Sequence, residues 1–219
     1  MKTSISLHDN TVHLWRVWLN DFTFEVQNLI DLLSTDEQLR ATRFHFEIHR
    51  ERFIIARAFL RKILHLYTGM SPEIIAFSYG PHGKPSIDYP IQFNLSHSDC
   101  VAVYAITLQK EIGVDVEKVT DHFKEGIAKR YFQPDEYAAL MNLAPLDRIR
   151  LFYHLWSRKE ALQKATGNGL FENSENVTDR FHVENFFVHE NFEAAFAMTP
   201  PIHHIEKWHW TKEGYTHFS

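Results

Sequence analysis

Two short stretches carry side chains that could do chemistry together. The first is Gly113-Val114-Asp115-Val116-Glu117. A strand has a side-chain period of two, so Ile112, Val114 and Val116 face one way and both acids the other. Paired carboxylates suit a hard divalent cation, since Mg2+ commonly takes one or two carboxylates plus substrate phosphates. A lone Asp-x-Glu is, however, more often the solvated face of a half-exposed strand. The second stretch is Trp156-Ser157-Arg158-Lys159-Glu160-Ala161-Leu162-Gln163-Lys164. Phe152, Trp156, Glu160 and Lys164 stand at i, i+4 spacing and form one helical row. Leu151, Leu155 and Leu162 widen it into an apolar stripe. The row begins in a core and ends in charge, which puts Glu160 where a carboxylate is partly desolvated. Desolvation raises a carboxylate pKa, while a metal or lysine lowers it. Taken alone, Glu160 and Lys164 also read as an ordinary surface ion pair. Together the two stretches could hold a divalent metal against a pyrophosphate and supply a base.

The elements that must position them can be read along the chain. Residues 12–19 alternate as a strand. Residues 31–42 read as a helix or helical turn with Ser34 or Thr35 as N-cap. Residues 44–67 are strongly helical, with Phe53, Ala56, Leu60, Ile63, Leu64 and Tyr67 on one side. Arg50, Arg57 and Lys62 lie on the polar side of that helix, and Arg52 and Arg61 nearer its apolar border. The glycines and prolines of Ser78-Tyr79-Gly80-Pro81-His82-Gly83-Lys84-Pro85 mark a loop with tight turns. A strand over 92–95 leads into Ser96-His97-Ser98-Asp99, and 101–107 with 112–117 is expected to form a hairpin. Residues 123–131 are helical, and Pro134 opens another helix with Asp135 and Glu136 in its first turn. The helix carrying Glu160 runs over 148–166, ended by Gly167 and Gly169. Segments 181–188, 192–198 and 206–211 alternate as antiparallel strands. The order predicts an α+β fold of two lobes, residues 1–110 and 111–219, the second carrying the acidic stretches.

Composition narrows the function classes. At 219 residues the chain can bury a real core. The net charge of -5 argues against general nucleic-acid binding, which wants a basic surface. No apolar run approaches a membrane span, and Met1-Lys2-Thr3-Ser4 lacks the build of a signal peptide, so a cytoplasmic protein with no membrane partner is expected. A single cysteine, Cys100, excludes an intrachain disulfide and reads as a small residue at a strand start. The fifteen histidines are scattered without zinc-site spacing.

Several blocks taken in order carry a resemblance: the Arg52 region of the long helix, Gly83-Lys84-Pro85, Phe93-Asn94-Leu95-Ser96-His97-Ser98, and the two acidic stretches. From about residue 44 to 170 the chain resembles the Sfp-type 4'-phosphopantetheinyl transferases. The resemblance implies a pseudo-dimer of two similar α+β lobes, with coenzyme A and Mg2+ in the cleft between them. It implies transfer of the phosphopantetheine arm to a serine of an apo acyl carrier protein or peptidyl carrier protein, with release of 3',5'-ADP. Asp115, Glu117 and Glu160 look like the Mg2+ ligands, and Glu160 also like the general base, directly or through a water. Lys164 would meet the pyrophosphate, with Lys159 near the same phosphates. Ser96 and His97 look like coenzyme A contacts. Lys84, with the Gly83 and Pro85 backbone, and Arg52 look like the site of the 3'-phosphate and adenine end. Singly, Arg52 also reads as a solvated helix residue, His97 as a turn cap and Lys84 as a loop lysine.

Two departures from the family pattern stand out. Lysines that precede the long helix in some members are replaced by Asp36-Glu37-Gln38-Leu39-Arg40, leaving Arg40 as the basic residue there. The chain finishes Gly214-Tyr215-Thr216-His217-Phe218-Ser219, which predicts a trimmed last sheet. The two-lobe reading implies a monomer. Two other functions compete with the transferase: a degenerate module that binds coenzyme A or a carrier protein without turnover, and a metal-dependent nucleotide hydrolase that needs no carrier.

Overall fold

The computed structural model describes residues 5–167 and 178–218. Gly169 and the first four residues therefore lie outside the described residues. The first strand, β1 (Thr11–Trp18), is buried along nearly its whole length. Such two-sided burial is what a central strand requires, and its Val, Leu and Trp content supplies it. After it come two short helices, α1 (Val26–Leu29) and α2 (Thr35–Ala41), and then the long α3 (Glu47–Thr68). Ser34 caps α2 through a capping box with Glu37.

A two-residue pair, β2 (Ser78–Tyr79) and β3 (Pro85–Ser86), closes the glycine-rich segment into a small hairpin. Gly83 takes a positive φ of 78° at its tip, and its N–H donates to Gly80 O at 2.9 Å. Strands β4 (Ile91–Ser98), β5 (Val101–Leu108) and β6 (Ile112–Lys118) follow. The second half continues with α4 (Glu125–Tyr131), α5 (Pro134–Met141), α6 (Pro145–Thr166), β7 (His182–Asn185), β8 (Phe192–Met198), β9 (His204–Thr211) and β10 (Gly214–His217).

The larger sheet has the order β10-β9-β1-β5-β4, and the smaller one β6-β8-β7. Strand alternation sorts the core into layers. Trp15, Val17, Tyr104 and Ile106 face α3, while Val12, Leu14, Val101, Val103 and Ala105 face Ile112, Val114, Val116, Phe196 and Met198 of the smaller sheet. On the far side of the smaller sheet, Ala195 and Ala197 pack against Ala161 and Ala165 of α6. The molecule is thus two α+β lobes stacked helix, sheet, sheet, helix.

Four expectations need correction. Strands β5 and β6 do not form a hairpin: β5 pairs with β1 and β4, and β6 with β8. Their apolar faces meet across the two sheets, so the period-two pattern is satisfied without edge-to-edge pairing. The tail is not one antiparallel unit either, because β9 leaves it to run parallel to β1. Residues 214–217 form β10 against β9, so this end of the larger sheet carries a further strand. Arg57 is not on a polar face: it is 8% exposed, and with Arg61 it grips the buried Glu37 carboxylate.

Candidate active site

β4 is an edge of one sheet and β6 an edge of the other. Side chains at period two along β4 join the two edges. Asn94 Oδ1 accepts from the Val114 N–H at 2.9 Å, Ser96 Oγ donates to Asp115 Oδ1 at 2.9 Å, and Ser98 Oγ accepts from the Lys118 N–H at 3.0 Å. This seam carries the first acidic stretch. Asp115 is 3% exposed, so the solvated-face alternative does not hold for it.

Helix α6 lies directly on β6 because Gly113 has no side chain. A Cβ there would sit 2.1 Å from Ala161 O and 2.2 Å from Ala165 N. That close approach brings Lys164 onto Asp115, its Nζ donating to Oδ1 at 2.6 Å and to Ser96 Oγ at 2.9 Å. The acidic partner of Lys164 is therefore Asp115 across the strand–helix contact rather than Glu160 along the helix. Asp115 Oδ2 is buried and has no hydrogen-bond partner. Leaving a buried carboxylate oxygen without a partner is costly, and such an atom asks for a ligand.

Glu117 and Glu160 complete the acidic set. Glu117 Oε1 accepts from Trp156 Nε1 at 3.2 Å. Burial, and then the Asp115 charge, raise the Glu117 pKa above the usual carboxylate value. Burial also raises that of Glu160; Lys164 opposes the rise, while Asp115 and Glu117 reinforce it. With Glu117 and Glu160 both pushed up by burial and by their acidic neighbours, the three side chains offer oxygen donors whose crowding a divalent cation would relieve. Among the described residues no three His, Cys, Asp or Glu side chains converge as a ready-made metal cage. The fit to a cation accordingly rests on the oxygen donors and on the unpartnered Asp115 oxygen.

An open cleft of about 350 Å³ passes between the lobes, lined by His82, Gly83, Lys84, Pro85, Asn94, Leu95, Glu160, Gln163, Lys164 and Gly167. The β2–β3 hairpin and the α6 face thus meet as walls of one space. Lys84 Nζ is turned into the wall, donating to Ile112 O at 2.8 Å and Ala165 O at 2.9 Å. His97 follows Ser96 at the rim. Crowding around its ring lowers its pKa, and the charges of Lys164, Arg52, His49 and Arg40 lower it further. Four basic neighbours around one imidazole make a locally positive rim in a chain of net charge -5.

Two other residues expected at the phosphates are held in ion pairs. Arg52 meets Asp99 at 2.7 Å. Lys159 meets Glu136 of α5 at 2.8 Å, its ammonium 5.2 Å from the Phe132 ring centre. Sequence reasoning assigned no role to Asn94 or Gly113. Gly113 was legible as a glycine inside a strand pattern, a mark of close backbone approach; Asn94 gave no signal beyond its place in the Phe93–Ser98 block.

Both halves of the chain match family models. Residues 14–110 match the model described as 4'-phosphopantetheinyl transferase, N-terminal, and residues 111–217 that of the 4'-phosphopantetheinyl transferase superfamily. The chain is 39% identical over 173 residues to the 4'-phosphopantetheinyl transferase HetI of Nostoc sp., covering 76% of this chain and 73% of HetI. It is 31% identical over 160 residues to the transferase Sfp of Bacillus subtilis, covering 72% and 70% of the two chains. It is 32% identical over 159 residues to AcpT of Escherichia coli, covering 70% and 77%. With HetI 39% identical over most of both chains and the two models matching in succession across β4, β6 and α6, the chain belongs to the 4'-phosphopantetheinyl transferase superfamily.

Proposed function

We propose that the chain transfers the 4'-phosphopantetheine arm of coenzyme A to a serine hydroxyl of an apo acyl or peptidyl carrier protein, in a Mg2+-dependent reaction that releases 3',5'-ADP. The observation that carries this reading is the buried, unpartnered Asp115 Oδ2 beside Glu117, Glu160 and Lys164. Asp115, Glu117 and Glu160 would hold the cation. When bound, it supplies charge neutralisation at the pyrophosphate, the main demand of phosphoryl transfer.

The protein's own groups do the rest. Lys164 stands 2.6 Å from Asp115 as a mobile point charge for the pyrophosphate and the leaving 3',5'-ADP. Glu160 takes the proton of the serine hydroxyl, directly or through a water. Its raised pKa brings it nearer the operating pH, which strengthens a general base as long as it stays ionised. His97 and Arg52 at the positive rim, with the Gly83 and Pro85 backbone, receive the phosphate-bearing adenosine end. Ser96 holds Asp115 and Lys164 in register. Binding phosphate there would draw Arg52 from Asp99, a swap between two anions for one guanidinium.

The partner is a small acidic helical carrier, drawn to the positive rim rather than to the chain's overall charge. In this reading residues 1–110 and 111–219 supply the two lobes, the second also returning β9 and β10 to the first sheet, and with the cleft formed within one chain the working unit is a monomer. Among the described residues no helix is long and apolar enough to cross a membrane. A cytoplasmic location, with neither membrane nor nucleic acid as partner, is part of this reading; the acidic net charge weighs against nucleic acid.

The test is a panel of apo carrier proteins with coenzyme A and Mg2+, read by release of 3',5'-ADP. Release that requires both carrier and Mg2+ supports the reading. Release without any carrier would make the chain a hydrolase. Coenzyme A binding with no release on any carrier would make it a binding module.

A further inference from the structure

The resemblance makes Lys84 a contact of the coenzyme A phosphate, yet its ammonium is already committed. It donates to the carbonyl of Ile112, the first residue of β6, and to that of Ala165, in the last turn of α6. The last four carbonyls of a helix have no intrahelical donor, and the C-terminal end of the dipole favours a cation. Lys84 therefore caps α6 from the other lobe. A Cβ on Gly167 would touch the Lys84 stem at 3.7 Å, so the stem runs along the end of that helix.

Burial lowers the Lys84 pKa to about 8, with Glu111 opposing. The two captured elements carry the whole charged set: β6 bears Asp115 and Glu117, and α6 bears Glu160 and Lys164. They touch at Gly113, one residue from the Ile112 carbonyl that Lys84 holds.

We infer that Lys84 is a positioning residue: it latches the β2–β3 hairpin onto the β6–α6 junction and fixes the charged set across the cleft, rather than lending its charge to a ligand phosphate. The inference rests on the proposed function for the identity of the ligand, but the latch itself stands on the contacts.

Lys84→Met, which keeps the stem and loses the donors, separates the two roles. Steady-state transfer is compared with coenzyme A and with 3'-dephospho-coenzyme A, and hydrogen exchange is followed in α6 and α3. A latch predicts a roughly tenfold fall in kcat with either substrate, and a KM and a preference for the 3'-phosphate changed by no more than about twofold. It also predicts roughly tenfold faster exchange in the last turn of α6, with α3 unchanged. Loss of the 3'-phosphate preference with α6 exchange unaltered would overturn it and make Lys84 a ligand. If the wild-type chain modifies no carrier, the proposed function falls, and the exchange result still decides the latch.

Discussion

At the residue scale, Asp115 holds the site together. One of its oxygens takes a lysine and a serine, and the other takes nothing. Glu160 is the side chain whose removal should separate activity from stability. Glu160→Gln is expected to lower carrier modification by about 10²–10⁴-fold, the usual worth of a general base. The same change should leave the thermal midpoint at neutral pH equal to wild type or higher, because it removes a carboxylate that burial disfavours. Parallel turnover and melting measurements check both.

His13 gives a pH dependence far from the site. It is fully buried on β1, and burial first, then His217 and His8, lower its pKa from 6.5 to about 4. Tyr67 OH accepts from Trp15 Nε1 and lies 2.8 Å from His13 Nδ1, so the ring is held in a hydrogen-bonded, water-free setting. With the folded pKa depressed, the unfolded chain binds the proton first, so this stability is full above pH 6.5 and is lost as the pH falls towards 4. The loss is about 3 kcal/mol at most, and His13→Gln should flatten it in urea titrations across that range. Residue types were legible at this scale: Asp115, Glu117, Glu160 and Lys164 were picked out from spacing. The pairing of Lys164 with Asp115 was not, because an i, i+4 rule knows only contacts within one helix.

At the element scale, the contact of α6 with β6 decides whether the charged set exists. Gly113→Ala would drive a methyl into the α6 backbone, which no rotamer relieves. The expected cost is about 3 kcal/mol, and any folded fraction should have lost transfer activity as the helix moves off Asp115. Chemical unfolding with an activity assay on the folded fraction reads both effects. The long helices and β1 were legible because strong periodicity marks them. The β5–β6 relation was not, because alternation shows which face is apolar and leaves open whether that face meets a neighbour in its own sheet or in the next. Arg57 was misplaced for a similar reason: a helical wheel cannot see that α2 delivers a buried Glu37 to its far side.

At the scale of the whole molecule, the two lobes share more than a cleft. β9 and β10 return from the second half to extend the first sheet, bringing Trp208 and Trp210 against Trp15. The seam of Asn94, Ser96 and Ser98 and the Lys84 contacts tie the lobes at the site itself. Two lobes in succession were legible from element order, but the returning hairpin was not, since the tail strands carry no sequence mark of their partner. The central claim is metal-dependent phosphopantetheine transfer at Asp115, and one measurement meets it most directly: intact-mass analysis of apo carrier proteins incubated with coenzyme A and increasing Mg2+, for wild type and Asp115→Asn. The account predicts a gain of one phosphopantetheine with wild type, absent under EDTA, and a rate about 10²-fold lower or less with Asp115→Asn at every Mg2+ concentration. Transfer by wild type that is unaffected by EDTA, or full transfer by Asp115→Asn, would contradict it.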